Sequence, residues 1–245
     1  MTARDEILSK VKKALGRRDA AHDVAQAVSL RSDLAPSPSS THAPLSPQQI
    51  TLACDQQREA LIERFEAALL RVGGHFSVAA NAQMVCERVA DIAAVVKAKK
   101  AVGWHSPWLQ QLGLPKCFAE LNMEFITDAE CADKAAFINE AAEAAIGITP
   151  VDYALADSGT LCLLAKKNQP RTASLLPPIH IAVLQPRQII RGLDDLFALL
   201  PADSRELSSA VTLITGPSRT ADIELTLVVG VHGPQQLHII LADWD

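Results

Sequence analysis

"HFSVAANAQMVCERVADIAAVVKAKKAVGW", residues 75–104, decides the fold. Its two ends, "HFSVA" and "AVGW", are short apolar runs of strand length, while the middle, "AQMVCERVADIAAVVKA", reads as a helix. A strand, a helix and a second strand in that order form a unit whose strands run parallel beneath the helix. After a Ser-Pro turn, "MEFIT" and the alanine-rich "DKAAFINEAAEAA" repeat the alternation, so the stretch reads βαβα and the class is α/β. Upstream, Leu61, Phe65, Leu69 and Val72 recur at helical spacing until Gly73-Gly74 turns the chain into the first strand.

Beyond Gly147 the texture changes. "DYALADSGTLCLL" places two apolar runs around Asp157-Ser158-Gly159, the pattern of a hairpin or tight strand-turn-strand. "IHIAVL", "VTLIT" and "LHIIL" then supply three more strands that look buried. Between the last two, Ile223–Val231 fits period two in its apolar residues, yet its acidic start suits a helix N-terminus. A short helix is the expectation there.

At the other end, Thr2 and Asp5 fit a capping box, and Ile7, Leu8, Val11 and Leu15 fall on one helical face. Residues 17–48 read as a linker, since Pro36, Pro38, Pro44 and Pro47 lie among serines in its second half. The expected organisation is an N-terminal amphipathic helix over 1–16, the linker over 17–48 and one α/β domain over 49–245. A tethered helix with an apolar stripe needs a surface to dock on.

Bulk composition narrows the function. With 28 acidic against 23 basic residues and no basic cluster, the electrostatic footprint of a nucleic-acid binder is missing. The start lacks the apolar core of a signal peptide, and no stretch reaches the roughly 18 uninterrupted apolar residues of a membrane span. The expectation is a cytoplasmic chain. Cys54, Cys86, Cys117, Cys131 and Cys162 are scattered, with no C-x-x-C pair to nucleate an iron–sulfur cluster, and the seven histidines form no H-x-x-x-H pair. No structural metal is expected.

Four places carry groups suited to a site. In Ala156-Asp157-Ser158-Gly159-Thr160, a glycine lets backbone amides approach a ligand and the flanking residues add donors and an acceptor; the same residues also suit a plain capped turn. Arg171, between prolines, could clamp a carboxylate or phosphate, or make a surface ion pair, while His180 further on reads as a packed core histidine. Ser218, Arg219 and Thr220 come after the strand "VTLIT". If a helix starts there, beyond a strand's carboxyl end, its free amides would face an anion. Asp222 and Glu224 would then complement the helix dipole, pair with Arg219, or act as catalytic carboxylates. Last, His232 sits on a turn between Gly230 and Gly233, placed to work near neutral pH or to bond the backbone. Without a nucleophile elbow, P-loop or G-x-G-x-x-G, these groups describe an anion-friendly crevice with no reaction assigned.

At these residues the sequence resembles a known family. "GITPVDYALADSGTLCLL", "RTASLLPPIHIAVL", "GPSRTADIELTLVVGVHGPQQLHIILAD" and the opening "ARDEILSKVKKAL" are similar to the lactate-utilization protein C family, the LUD-domain proteins. The resemblance implies a Rossmann-like sandwich of the NagB/RpiA/CoA-transferase type with a mostly parallel sheet. It further implies a role in oxidising L-lactate to pyruvate within a three-protein system whose other two members carry iron–sulfur clusters. No cofactor is then expected in this chain itself. The turn more usual in such proteins as A-D-T-G-T is A-D-S-G-T here, which keeps the hydroxyl.

The leading expectation is thus a subunit of a lactate-oxidising assembly that binds a small anionic ligand through Asp157, Ser158, Gly159, Thr160, Arg171, Ser218, Arg219, Thr220, Asp222 and Gly233. One alternative is a stand-alone isomerase or CoA-transferase-like enzyme, with Glu224 as nucleophile or base and His232 as acid. Another is a scaffold subunit whose N-terminal helix is a docking arm.

Overall fold

The computed structural model describes residues 45–166, 169–201, 208–221, 227–230 and 232–244. The helix expected over 1–16 and most of the linker lie outside them. The described residues belong to a compact unit spanning Leu45–Asp245. It opens earlier than the linker reading allowed, because Ser46 and Gln49 form a capping box and Pro47 takes the first helical position. Helix α1 (Pro47–Gln56) leads to α2 (Arg58–Arg71), which buries Leu61, Phe65, Ala68 and Leu69 as the spacing requires.

The decisive stretch folds as read. Strand β1 (His75–Ala79) is followed by α3 (Ala82–Val96), capped by the Asn81 side chain, which accepts from the Met84 amide at 2.9 Å, and then by β2 (Lys100–Gly103). The Ser-Pro pair after β2 is a helix start: Pro107 opens α4 (Pro107–Gln111), and α5 (Leu114–Glu120) comes before β3 (Glu124–Thr127). Helix α6 (Lys134–Glu143) crosses to β4 (Ile146–Pro150).

The second half adds a smaller sheet. Strands β5 (Tyr153–Leu155) and β6 (Thr160–Leu164) form the expected antiparallel hairpin. Helix α7 (Thr172–Leu175) precedes β7 (Ile179–Leu184), and β8 (Ile189–Ile190), α8 (Leu193–Leu199) and β9 (Val211–Thr215) come next. The last three strands are β10 (Arg219–Ala221), β11 (Leu227–Val229) and β12 (Gln236–Ala242). The main sheet has six strands in the order β1-β12-β7-β4-β2-β3, each pair parallel. The second has the order β8-β5-β6-β9, and β10 with β11 forms a separate two-stranded ribbon.

Both faces of the main sheet are covered. On one, Val85, Val89, Leu114 and Phe118 of α3 and α5 meet Ile148, Ile181, Val183 and Ile240. On the other, Phe65, Leu69 and Phe137, with Leu155 and Leu161 of the second sheet, meet Val102, Leu184, Ile239 and Leu241. Packing on that second face is close: a Cβ on Gly147 would stand 1.8 Å from the Ala173 carbonyl, so α7 lies directly on β4.

Two expectations are corrected. The run "VTLIT" is not buried. As β9 it is the edge of the second sheet, and Val211 and Leu213 are exposed. The helix expected over Ile223–Val231 is not formed by its described part. Arg219–Ala221 pairs antiparallel with Leu227–Val229, so period two prevailed over the acidic start. Residues 222–226 and 231 lie outside the described set.

His180 is a core residue, as read. It is wholly buried on β7, and its Nε2 lies 2.8 Å from the Thr149 hydroxyl of β4. Burial pushes its imidazole from 6.5 down to about 3. His238 on β12 stacks on His75 of β1 at 4.4 Å between ring centroids, and burial, with His75 beside it, lowers it to about 4. Both depressed values mean that, as pH falls through 6.5, the unfolded chain takes up protons that the folded chain refuses. Stability is therefore lost below about pH 6.5. For His180 the loss between pH 7 and pH 5 amounts to about 2 kcal/mol. Urea denaturation at the two pH values should show it, and His180→Leu should shrink the difference by about that amount; an unchanged difference would mean that folded His180 already carries its proton.

Candidate functional site

The hydroxyl, guanidinium and imidazole groups expected to form one crevice are gathered by three glycine-bearing turns and the end of α2. The turn Asp157–Gly159 joins β5 to β6 and is tied to the loop before α8: the Asp157 amide donates to the Arg191 carbonyl at 3.1 Å, and the Asp157 carboxylate lies over Gly192, where a Cβ would come within 2.4 Å of it. Gly159 has φ +66°, and its Cα faces the α2 backbone so closely that a Cβ would sit 2.4 Å from the Leu69 nitrogen. Only glycine meets both demands. Next to it, the buried Thr160 hydroxyl pairs with that of Thr215 on β9 at 2.8 Å.

From Thr215 the chain turns at Gly216, φ +73°, against the Val72 carbonyl. Arg219 is exposed on β10, and its Nη2 donates to that same Val72 carbonyl at 3.0 Å. Gly73 leaves room for it, since a Cβ there would lie 2.4 Å from the guanidinium. The Ser218 amide donates to the Pro234 carbonyl at 2.9 Å, and its carbonyl accepts from the Gly230 amide at 3.0 Å. Gly233 faces the Ser218 side chain, and His232 is exposed beside it. The Gln235 amide in turn donates to the Pro178 carbonyl at 2.7 Å, just before β7 begins.

This group therefore sits at the amino ends of β1, β7 and β12, which corrects the expected crevice. The strand before Gly216 belongs to the second sheet, and the segment after it, β10, is again a strand, so no helix N-terminus is offered by Ser218, Arg219 and Thr220. Asp222 and Glu224 lie outside the described residues. Arg171 is not part of the group. It is exposed at the start of α7, next to Pro170, whose carbonyl accepts from the Trp104 indole at 2.9 Å, just past the carboxyl end of β2. The structure thus unites Ser158, Gly159, Thr160, Ser218, Arg219, His232 and Gly233, and leaves Arg171 at the other end of the sheet.

Other reactive side chains are held quiet. Cys54, Cys117 and Cys162 are buried. Burial, with Cys86 beside it, pushes the Cys117 thiol up to about 12, and burial raises Cys162 to about 11, so neither is a thiolate near neutral pH. Among the described residues no group of three or more His, Cys, Asp or Glu side chains is arranged to hold a metal ion. Asp195, almost fully buried, is neutralised in place: it accepts from the Arg191 amide at 3.1 Å and from Arg191 Nε at 2.8 Å.

A cavity missed by the sequence reading opens past the carboxyl ends of β2 and β3. It measures about 410 Å³, and Trp104, His105, Ser106, Phe125, Thr127 and Glu130 are among its lining. None of the residues expected in a site lines it. Its members are spread over a stretch with no motif, and the one available signal was their position just after two parallel strands.

Comparison with known proteins agrees with the architecture. The family model of the LUD domain matches residues 62–242. Lactate utilization protein C of Halalkalibacterium halodurans is 35% identical over 150 residues, which cover 60% of this chain and 64% of that relative. The chain thus matches somewhat less than two thirds of that protein. Lactate utilization protein C of a Geobacillus species aligns more fully, at 29% identity over 98% of this chain and 96% of its own. A crystal structure of a DUF162 family protein from Deinococcus radiodurans superposes with a TM-score of 0.52 at 22% identity, covering 76% of this chain and 98% of that one. At that identity the likeness concerns the fold alone.

The Gly159 contact generates a test of how the group is held together. Gly159→Ala should lower stability by about 3 kcal/mol, as left-handed strain and the clash with Leu69 add. Gly113 has φ +72° with nothing within 4 Å of its would-be Cβ, so Gly113→Ala should cost only about 1 kcal/mol. Equal losses in urea denaturation would show that the turn does not press on α2.

Proposed function

The chain belongs to the LUD domain family, and on that premise we propose that it serves lactate utilization as the cluster-free member of a three-protein system oxidising L-lactate to pyruvate. The observation that carries this reading is the alignment with the Geobacillus lactate utilization protein C along nearly the whole of both chains. Oxidation of a 2-hydroxy acid to a 2-oxo acid releases two electrons and two protons. In this reading the electrons pass to iron–sulfur clusters in the two partner proteins, and the present chain contributes binding and assembly.

Its contribution centres on the turns at the amino ends of β1, β7 and β12. Exposed Arg219 and His232 stand there beside Ser218, on backbone fixed by the contacts of Gly159 and Gly216. A cation whose position is set by a carbonyl hydrogen bond loses little freedom when it meets a carboxylate. We assign Ser158, Ser218, Arg219 and His232 as the contacts for a small anionic ligand on this face.

Deleting the gene in its own host should abolish growth on L-lactate while leaving growth on pyruvate intact. Affinity purification of the restored protein from lactate-grown cells should bring down cysteine-rich partners and iron. The double variant Ser218→Ala, Arg219→Ala should restore growth at least tenfold less well than the wild type while retaining its melting temperature. Wild-type growth of the deletion strain on L-lactate would overturn the role; full rescue by the double variant would overturn the assignment of the face.

A further inference from the structure

We infer that the cavity past β2 and β3 is a binding site for an uncharged planar nitrogen heterocycle that presents N–H donors, of the size of a nucleobase or pterin ring. This inference is independent of the lactate reading, because none of its residues belongs to the face assigned above.

The volume, about 410 Å³, lies within the range of small-molecule sites, and the place is the one where parallel α/β sheets hold ligands. One wall is aromatic and fixed. Phe125 stacks on Phe118 with ring centroids 4.7 Å apart and planes 17° from parallel. Behind it Gly103 has no side chain, and a Cβ there would meet one edge of the Phe125 ring at 2.9 Å, so β2 leaves room for that edge. Trp104, Leu109 and Met123, all buried, complete an apolar lining whose thioether and rings favour a flat aromatic guest.

The polar groups define the guest's edge. Glu130 Oε2 accepts from both the amide and the hydroxyl of Thr127, at 2.7 and 2.8 Å, which fixes the carboxylate at the mouth. Glu130 is exposed, and its other oxygen, without a protein partner among the described residues, can exchange water for a guest's N–H. Ser106 lines the cavity with 8% exposure, and its hydroxyl makes no capping bond to the helix it precedes. A wall hydroxyl that is not spent on capping can meet a ligand's polar edge.

Charge decides against the alternative. No lysine or arginine lines the cavity, while Glu130 does, and Asp128 stands next to it, accepting from the His105 amide at 3.0 Å. A carboxylate or phosphate entering here would meet like charge with no lysine or arginine to offset it. An uncharged ring with N–H donors meets an aromatic wall and a fixed acceptor.

Isothermal titration calorimetry of the full chain with guanosine, adenosine and a reduced or oxidised pterin tests the inference, with L-lactate, pyruvate and phosphate as the anionic comparison. At least one heterocycle should bind with a sub-millimolar dissociation constant, and the three anions should not compete with it. Ala119→Leu, on the exposed side of α5 at the cavity wall, should weaken that binding at least tenfold without lowering the melting temperature. Glu130→Gln should weaken it as well. No binding by any of the heterocycles, undiminished binding in Ala119→Leu, or competition by lactate or phosphate would each overturn the assignment. Growth on L-lactate plays no part in the readout, so failure here leaves the metabolic role standing.

Discussion

A sheet of six parallel strands has no face it can turn to water, and nearly everything in this structure derives from covering it twice. Strands β4, β7 and β12 are buried along almost their whole length, and in β7 and β12 Ile, Val or Leu point both ways. One cover is helical, from α3 to α5. The other is composite: α2, α6 and α7 share it with the second sheet, which sits against the first by way of Leu155 and Leu161. A small sheet built from segments on both sides of β7 in the chain thus completes the cover, and this brings the Asp157–Gly159 turn against the end of α2.

The same constraint explains what is legible in the sequence. Strands buried on both sides read as unbroken apolar runs, and amphipathic α2 and α3 show their spacing, so βαβα emerges from residues 58–150 without help. Legibility fails where tertiary context overrides local signals. "VTLIT" resembles the buried strands in composition, but it is an edge, which no local pattern discloses. The acidic start before Leu227 points to a helix, while pairing with Arg219–Ala221 makes Leu227–Val229 a strand. Ser106-Pro107 has the composition of a turn, although the same pair opens a helix. For the candidate site, the clustering of the turns at Gly159, Gly216 and Gly233 is legible, but not the end of the sheet at which they gather. That end depends on which sheet owns β9, a long-range pairing. The cavity residues, scattered from Trp104 to Glu130, carry no motif at all.

The two ends of the main sheet have opposite characters. At the amino ends, backbone touches backbone: Gly159 on Leu69, Gly216 on Val72, the Arg219 guanidinium over Gly73. Such contacts leave little volume and place polar groups on a firm, outward surface. At the carboxyl ends of β2 and β3, loops and short helices stand away from the strands and enclose space. The first end displays charge to solvent; the second encloses a space with an apolar wall.

The order of strands also has a bearing on how the protein is made. Strand β12 lies between β1 and β7, and His75 pairs in register with His238. During synthesis β1 emerges long before β12, its one neighbour in the sheet among the described residues. Until residue 242 has appeared, an apolar strand and the flank of β7 stay without hydrogen-bonding partners, open to mispairing. The nascent chain therefore waits for β12 to close the sheet, which makes β1 and β7 natural targets for chaperone protection in the interval.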